Sequence, residues 1–450
     1  MATTQTGSRA GERRVVSNVI RGSIGNLIEW YDWYAYTAFS VYFAQAFFPE
    51  GDQTAQLLNT AAVFAVGFLM RPIGGWMLGR YADRFGRRAA LTLSVTLMAL
   101  GSLVIALTPS YASIGVAAPV LLVLARLTQG VSVGGEYATS ATYLSEVASP
   151  GRRGFYSSFQ YVTLTAGQLI ALGVQIVLQL VLTTEQMDAW GWRIAFVIGA
   201  TGAVVVMWLR RSMEESESFQ REASSGGGGR PAARGTIRAL LAHPKALLTV
   251  VGLTLGGTVA FYTYTTYLQK FMINTSGIDK ESVALVNFLA LLVFVVFQPV
   301  AGALSDRIGR RPLLLFFGVA GTVCTVPLLS TLAGTRSPLL AFLLMLGALF
   351  IVTGYTSINA IVKAELFPTS IRALGVGLPY ALTVSLFGGT AEYVALWLKQ
   401  AGHESWFFWY VSGCILVSLL VYLRMSESSK NSQLDRDHAA GPEERTQAGR

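Results

Sequence analysis

The sequence predicts an all-α membrane protein with twelve transmembrane helices in two pseudo-symmetric six-helix bundles, and three observations predict it. Apolar residues make up 52% and charged residues only 13% of the 450 positions, whereas a soluble domain carries about one quarter charged residues. Lipid is therefore the solvent for most of the chain. The decapeptide from Gly79 to Arg88, GRYADRFGRR, returns 223 positions later as GALSDRIGRR from Gly302 to Arg311, each time wedged between two long apolar runs. One membrane-embedded unit is thus present twice, the pattern of a carrier whose halves rock against each other. A polar stretch containing a glycine run, Gly226 to Gly229, lies between the two units and reads as a flexible linker.

Taken in order, the chain opens with a polar, basic arm (1–17) that lacks an apolar cleavage-type core, so the first span serves as its own insertion signal. The first bundle (18–211) holds spans at about 18–47, 56–80, 89–108, 116–146, 155–182 and 190–211. Its first span carries Glu29 and Asp32, the second and third flank the first basic hairpin, the fourth carries Arg126 and Glu136, and Trp190 and Trp192 mark the outer end of the sixth. The linker (212–245) separates it from the second bundle (246–424), with spans at about 246–273, 281–304, 312–333, 338–366, 371–398 and 404–424. There the seventh span is interrupted by hydroxyls, the eighth and ninth flank the second hairpin, and Trp397 and Trp406 anchor the outer ends of the last two. The polar tail (425–450) has no heptads and is expected to be disordered.

Basic residues follow one side of the predicted membrane. Arg13, Arg14, Arg21, both hairpins, Arg152, Arg153, Arg210, Arg211, Arg372 and the tail from Arg424 share it, whereas Arg193, Lys280, Arg336 and Lys399 face the other. That bias predicts both termini in the cytoplasm, and it accounts for the net charge of +9 as topology, without a nucleic-acid partner. Cys324 and Cys414 lie far apart in apolar runs, and His243, His403 and His438 are scattered, so neither a disulfide framework nor a metal site is expected.

Each hairpin combines glycines with an acid among arginines. Gly79 and Gly302 permit close helix approach, and Gly86 and Gly309 permit a tight turn. Asp83 and Asp306, among Arg84, Arg87, Arg88, Arg307 and Arg310, can accept charge-assisted bonds or cap a neighbouring helix. A second repeat agrees with the first: Glu146 to Arg153 in one half, Glu365 to Arg372 in the other. Together these residues predict a latch on one face of the bundle, with mere topology-setting charge clusters as the plain alternative.

Ionisable groups inside spans are costly and mark function by default. Glu29 and Asp32 lie three apart on one helical face. By depth, Arg126 matches Asp32 and Arg71 matches Glu29, so acid–base pairs are expected; with Glu136 they would link proton uptake to the arrival of an anion. Ion pairs that only tie helices together remain open as an alternative, as does an Arg71 that snorkels. Tyr262, Tyr264 and Lys270 in the seventh span, and Gln160, Tyr161 and Gln168 in the fifth, are candidates to contact an organic anion or, alternatively, structural groups. Phosphate-binding loops, nucleophile elbows and metal clusters are missing from the sequence, so no enzyme, no ATP-driven pump and no cofactor is expected, only the proton as coupling ion.

The paired G-x3-D-R-x-G-R-R hairpins, with Arg126-Leu-Thr-Gln129-Gly130 in the fourth span, resemble the major facilitator superfamily. The stretches Gly25 to Tyr34, Gly67 to Gly75 and Gly134 to Tyr137 resemble its metabolite:proton symporter group, and the likeness is greatest to the members that carry α-ketoglutarate. The resemblance implies a protein of the bacterial inner membrane that imports a dicarboxylate with protons by alternating access, and a monomer is expected. Relatives in the group carry citrate, shikimate, proline or betaine, which are the alternatives within transport. A non-transporting membrane sensor is the alternative outside it.

Overall fold

The computed structural model describes residues 27–85, 87–134, 151–211, 240–368 and 371–429, and the regular structure among them is entirely helical. The first helix, α1, covers 27–47. The first half continues with α2 (Gln53–Phe85), α3 (Arg87–Leu107), α4 (Ala117–Val133), α5 (Arg153–Val181) and α6 (Trp192–Arg211). The second half holds α7 (Pro244–Asn274), α8 (Lys280–Ile308), α9 (Arg311–Gly334) and α10 (Pro338–Glu365). It closes with α11, in pieces Arg372–Thr383, Val384–Gly388 and Ala391–Gln400, and α12 (Glu404–Arg424). Among the described residues nine helices are long and apolar enough to cross a membrane; 27–47, Thr92–Leu107 and Ala117–Val133 complete the twelve.

Observed helix ends lie within a few residues of the spans read from the sequence. Two differences concern residues outside the description: the start of the first span, and 135–150, where the fourth was expected to continue. Linker residues 212–239 also lie outside it, as does the tail beyond 429. A third difference is structural. Helices α7 and α11 each contain a π turn, Thr263–Tyr267 and Val384–Gly388, which inserts one extra residue per turn and which span hydropathy does not register.

The two halves meet along two long contacts, α5 on α8 and α2 on α11, which exchange under the pseudo-twofold that the sequence repeat implies. Helices α3 and α6 pair in the first half, and α9 and α12 pair in the second. Their outward faces expose Leu103, Val204, Trp208, Val323 and Leu420, apolar surface suited to lipid. Within the first half, α2 and α4 touch backbone to backbone. A Cβ on Gly130 would stand 2.1 Å from the Gly67 carbonyl oxygen, so only glycine allows this separation. That seam brings Arg71 of α2 and Arg126 of α4 into one neighbourhood.

Candidate functional site

Asp32 and Glu29 project from one face of α1 toward α3 and α4, as their spacing of three predicts. The buried Asp32 carboxylate accepts bonds from Ser102 Oγ and Gln129 Nε2. Glu29 Oε1 accepts from Ser94 Oγ and Ser132 Oγ, both at 3.1 Å. The residues on α4 that serve the two acids, Gln129 and Ser132, are three apart like the acids themselves, whereas Ser94 and Ser102 on α3 are eight apart.

The expected pairing of acids with arginines is replaced by a relay and by aromatic boxes. Arg126 reaches Asp32 through Gln129: its Nη1 donates to Gln129 Oε1 at 2.7 Å, and the amide nitrogen of the same side chain serves Asp32. The guanidinium carbon of Arg126 lies 4.0 Å from the Trp33 ring centroid and 4.3 Å from that of Tyr36. Arg71 is enclosed in the same way, 3.9 Å from Phe68, 4.7 Å from Trp33 and 5.0 Å from Trp30. Trp33 lies against both arginines. Arg71 is 5% exposed, which removes the snorkelling alternative, and its guanidinium has no carboxylate partner among the described residues. In both arginines Nε and Nη2 are buried and make no hydrogen bond among the described residues. Aromatic faces compensate part of the cost of burying such charge while leaving the in-plane N–H groups available.

On the second-half side, the π turn of α7 precedes Lys270, and the π turn of α11 precedes Glu392. Their side chains pair at 2.8 Å, at 0% and 5% exposure. Lys270, expected to meet an anion, is thus held by a carboxylate of the protein itself. Tyr264 fits the structural alternative: its hydroxyl bonds Thr325 Oγ1 of α9 at 2.6 Å, inside the second half. Tyr262 packs edge-on against Phe68, ring centroids 5.2 Å apart, and so borders the Arg71 box. From α5, Gln168 donates to the Thr265 carbonyl at 2.5 Å, and the Tyr161 hydroxyl accepts from Asn359 at 3.2 Å; both bonds join the two halves. Gln160 is buried on the same helix.

The second hairpin bonds to the other half of the protein. Asp306 Oδ1 and Oδ2 accept from the backbone N–H groups of Gly154 and Phe155, at 2.8 and 2.9 Å, capping the start of α5 from the other half. Arg310 bonds Asp306 Oδ1 at 2.8 Å and lies 3.7 Å from Glu365. Gly302 serves the close approach expected of it: a Cβ there would stand 2.5 Å from the Gly154 carbonyl oxygen. Gly309 makes the turn at φ +94°. Arg372 donates Nε to the carbonyls of Ala364 and Phe367, both at 3.2 Å, closing its own loop, while Arg153 begins α5 beside Gly154 and is buried, and Arg307 lies in the last turn of α8. Of the matching residues in the first half, Gly86, Glu146 and also Glu136 lie outside the described residues, as do the side chains of Asp83, Arg84, Arg87 and Arg88; Gly79 falls within α2.

Sequence reasoning gave no site role to Gln129, Glu392, Ser102 or Glu427, among the residues that the geometry brings in. Gln129 was detectable as the residue three after Arg126 on one face, and Glu392 as an acid within a span. Ser102 carries no such signal. Glu427, just beyond α12, accepts from the backbone N–H groups of Arg310 at 2.8 Å and Arg311 at 3.0 Å and so caps α9, while its neighbour Ser428 donates to Glu365 at 2.6 Å. The halves also meet at the end opposite the hairpins, where Lys280 pairs with Asp188 at 3.2 Å and Asn274 donates to Thr54 at 3.1 Å. No group of three or more metal-type ligands occurs among the described residues.

The profile of the Major Facilitator Superfamily matches residues 22–378 and 265–446. The chain is 51% identical to the alpha-ketoglutarate permease of Escherichia coli (strain K12), covering 94% of this chain and 96% of that one. It is 34% identical to the citrate-proton symporter of Klebsiella pneumoniae, over 86% and 85% of the two chains. Among solved structures, the proton:xylose symporter XylE bound to 6-bromo-6-deoxy-D-glucose superimposes with a TM-score of 0.74 at 17% identity, covering 94% of this chain and 98% of that one; it is similar in fold alone.

Proposed function

The chain belongs to the major facilitator superfamily, and from that premise we propose that it is a proton-coupled symporter importing α-ketoglutarate, or a closely related dicarboxylate, by alternating access. The observation that carries the reading is the pair of buried guanidiniums, Arg71 and Arg126, each with two nitrogens that make no bond among the described residues. A planar fork of donors suits a carboxylate, and two forks suit two carboxylates. The relay from Arg126 through Gln129 to Asp32 supplies the coupling. A substrate carboxylate that takes Arg126 disturbs Gln129, and Gln129 is a donor to Asp32. Loss of that donor leaves the buried carboxylate to be compensated by a proton, so anion and proton enter together.

In this reading Glu29, Asp32, Arg126 and Glu136 handle the proton. Arg71, Arg126, Gln160, Tyr161, Gln168 and Tyr262 border the substrate. The hairpins form the cytoplasmic gate, with Asp306 closing it against α5 and Asp83 its counterpart by repeat. Two bundles (18–211 and 246–424) joined by the linker (212–245) rock about the site, both termini lie in the cytoplasm, and a monomer in the bacterial inner membrane suffices, with no cofactor beyond the proton. Interactions bridging the halves at both ends support an occluded arrangement as the one described. A tricarboxylate is the second reading, favoured by the identity to citrate-proton symporters.

Proteoliposomes decide between them. Purified protein should accumulate labelled α-ketoglutarate under an inward proton gradient, in preference to citrate, shikimate, proline and betaine. Asp32→Asn should abolish gradient-driven accumulation while α-ketoglutarate exchange across the membrane persists. A protein that admits no organic acid over this panel overturns the reading, and an Asp32→Asn variant that still accumulates substrate overturns the role given to Asp32.

A further inference from the structure

The Lys270–Glu392 pair has no part in the mechanism above, yet it sits where the two halves meet. Gln269, next to Lys270, donates to the Ala38 carbonyl of α1 at 3.4 Å and to Gln175 of α5 at 3.2 Å. Three residues before Glu392, Gly389 admits the Phe68 side chain, the same ring that stacks on Arg71. Tyr36, against which the Arg126 guanidinium lies, is two residues before Ala38 on α1, whose carbonyl Gln269 reaches. The region therefore gathers three buried cations, Arg71, Arg126 and Lys270, from both halves of the protein. Of the three, only Lys270 is in direct contact with a carboxylate among the described residues.

A buried ion pair is a poor way to tie two helices together, because apolar residues of similar volume do as well or better. Its effect on the charge of the neighbourhood is larger. With Glu392 in place, Lys270 contributes no net charge, and an arriving anion meets two guanidiniums. Without it, the anion would meet three cations.

We propose that Glu392 is a specificity residue: a carboxylate built into the protein that neutralises Lys270, so that the site favours a dianion over a trianion. Glu392 acts through Lys270 and touches no substrate, so it is a positioning group for charge. The proposal rests on the dicarboxylate reading above.

The test compares uptake of labelled α-ketoglutarate and labelled citrate in proteoliposomes of the wild type, E392Q, K270Q and K270Q/E392Q, reading the citrate-to-α-ketoglutarate ratio of kcat/KM. E392Q frees the ammonium and should raise the ratio about tenfold, the discrimination expected of one added buried charge acting on one extra substrate charge. K270Q leaves an unpaired carboxylate and should lower the ratio by about the same factor. The double variant restores a neutral pair and should return the ratio to that of the wild type. Opposite shifts cancelled by the double substitution are not produced by a helix tie, which would lower both rates together. For a variant that folds but does not turn over, the rise in Tm given by each anion on detergent-purified protein supplies the same ratio, and E392A replaces E392Q if the latter is not recovered. A ratio that stays constant across the four proteins, or that shifts in the same direction in both single variants, overturns the proposal while leaving the dicarboxylate reading intact. A wild type that carries neither anion overturns both.

Discussion

Asp306→Asn probes the proposed gate most directly. The carboxylate accepts two backbone N–H groups from α5, at 2.8 and 2.9 Å, and both bonds cross from one half of the protein to the other. Asparagine keeps one acceptor oxygen, turns an NH2 toward the second donor, and removes the negative charge facing the positive end of α5. One charge-assisted hydrogen bond contributes about 1.5–3 kcal/mol, and the helix-end interaction about 0.3–1 kcal/mol more. A closed hairpin end should therefore lose roughly 2–4 kcal/mol, a shift of the closed-to-open ratio on the order of 30- to 700-fold. Pulsed electron resonance between spin labels at the hairpin ends of α5 and α8 would read this as transfer of the short-distance population to a longer one, and proton-driven uptake should fall at equal surface abundance. A variant that retains the short distance and the native rate would show that the two bonds do not hold the gate.

Two further predictions concern the flanks of the transport path. Glu427 is pushed up by its burial, but the N–H groups of Arg310, Arg311 and Ser429 outweigh this and hold the carboxylate below its ordinary value. A depressed value means that the capping of α9 is fully present above the ordinary glutamate range, about pH 4.3, and is lost as pH falls through the lowered value; amide hydrogen exchange at the start of α9 should accelerate there, and Glu427→Gln should remove the acid dependence. At the opposite end, Lys280 and Asp188 are 21% and 42% exposed, so Lys280→Met should cost the closed state no more than about 1 kcal/mol and the difference should fade in high salt. Cysteine cross-linking across that end measures it, and a large, salt-independent opening would contradict the assignment of a weak contact.

The sequence carried the architecture because lipid imposes a simple rule: long apolar runs become helices, and basic loops choose a side. The repeated hairpins told more, since Gly302 and Asp306 do in the structure what their chemistry suggests, a close approach at Gly154 and a cap on α5. On the site, the spacing of three placed Glu29 and Asp32 on one face correctly. Partnership was harder to read. Which acid meets which cation depends on how each helix is rotated and on what lies between, and a neutral amide such as Gln129 can intervene between charges without altering hydropathy or charge count. The π turns of α7 and α11 explain a further part, because one extra residue displaces everything after it around the helix by about 100°. Lys270 and Glu392 both follow such a turn, and their pairing lies beyond a reading by regular periodicity.

The seam between Gly154 and Gly302 has a consequence for how readily the proposed gate would cycle. Main chains that meet at glycines have no rotamers of their own to freeze on docking, so this part of the contact forms with little side-chain entropy loss. What is reordered there is the Asp306 carboxylate with its Arg310 and Ser305 neighbours, together with the water around a few peptide groups.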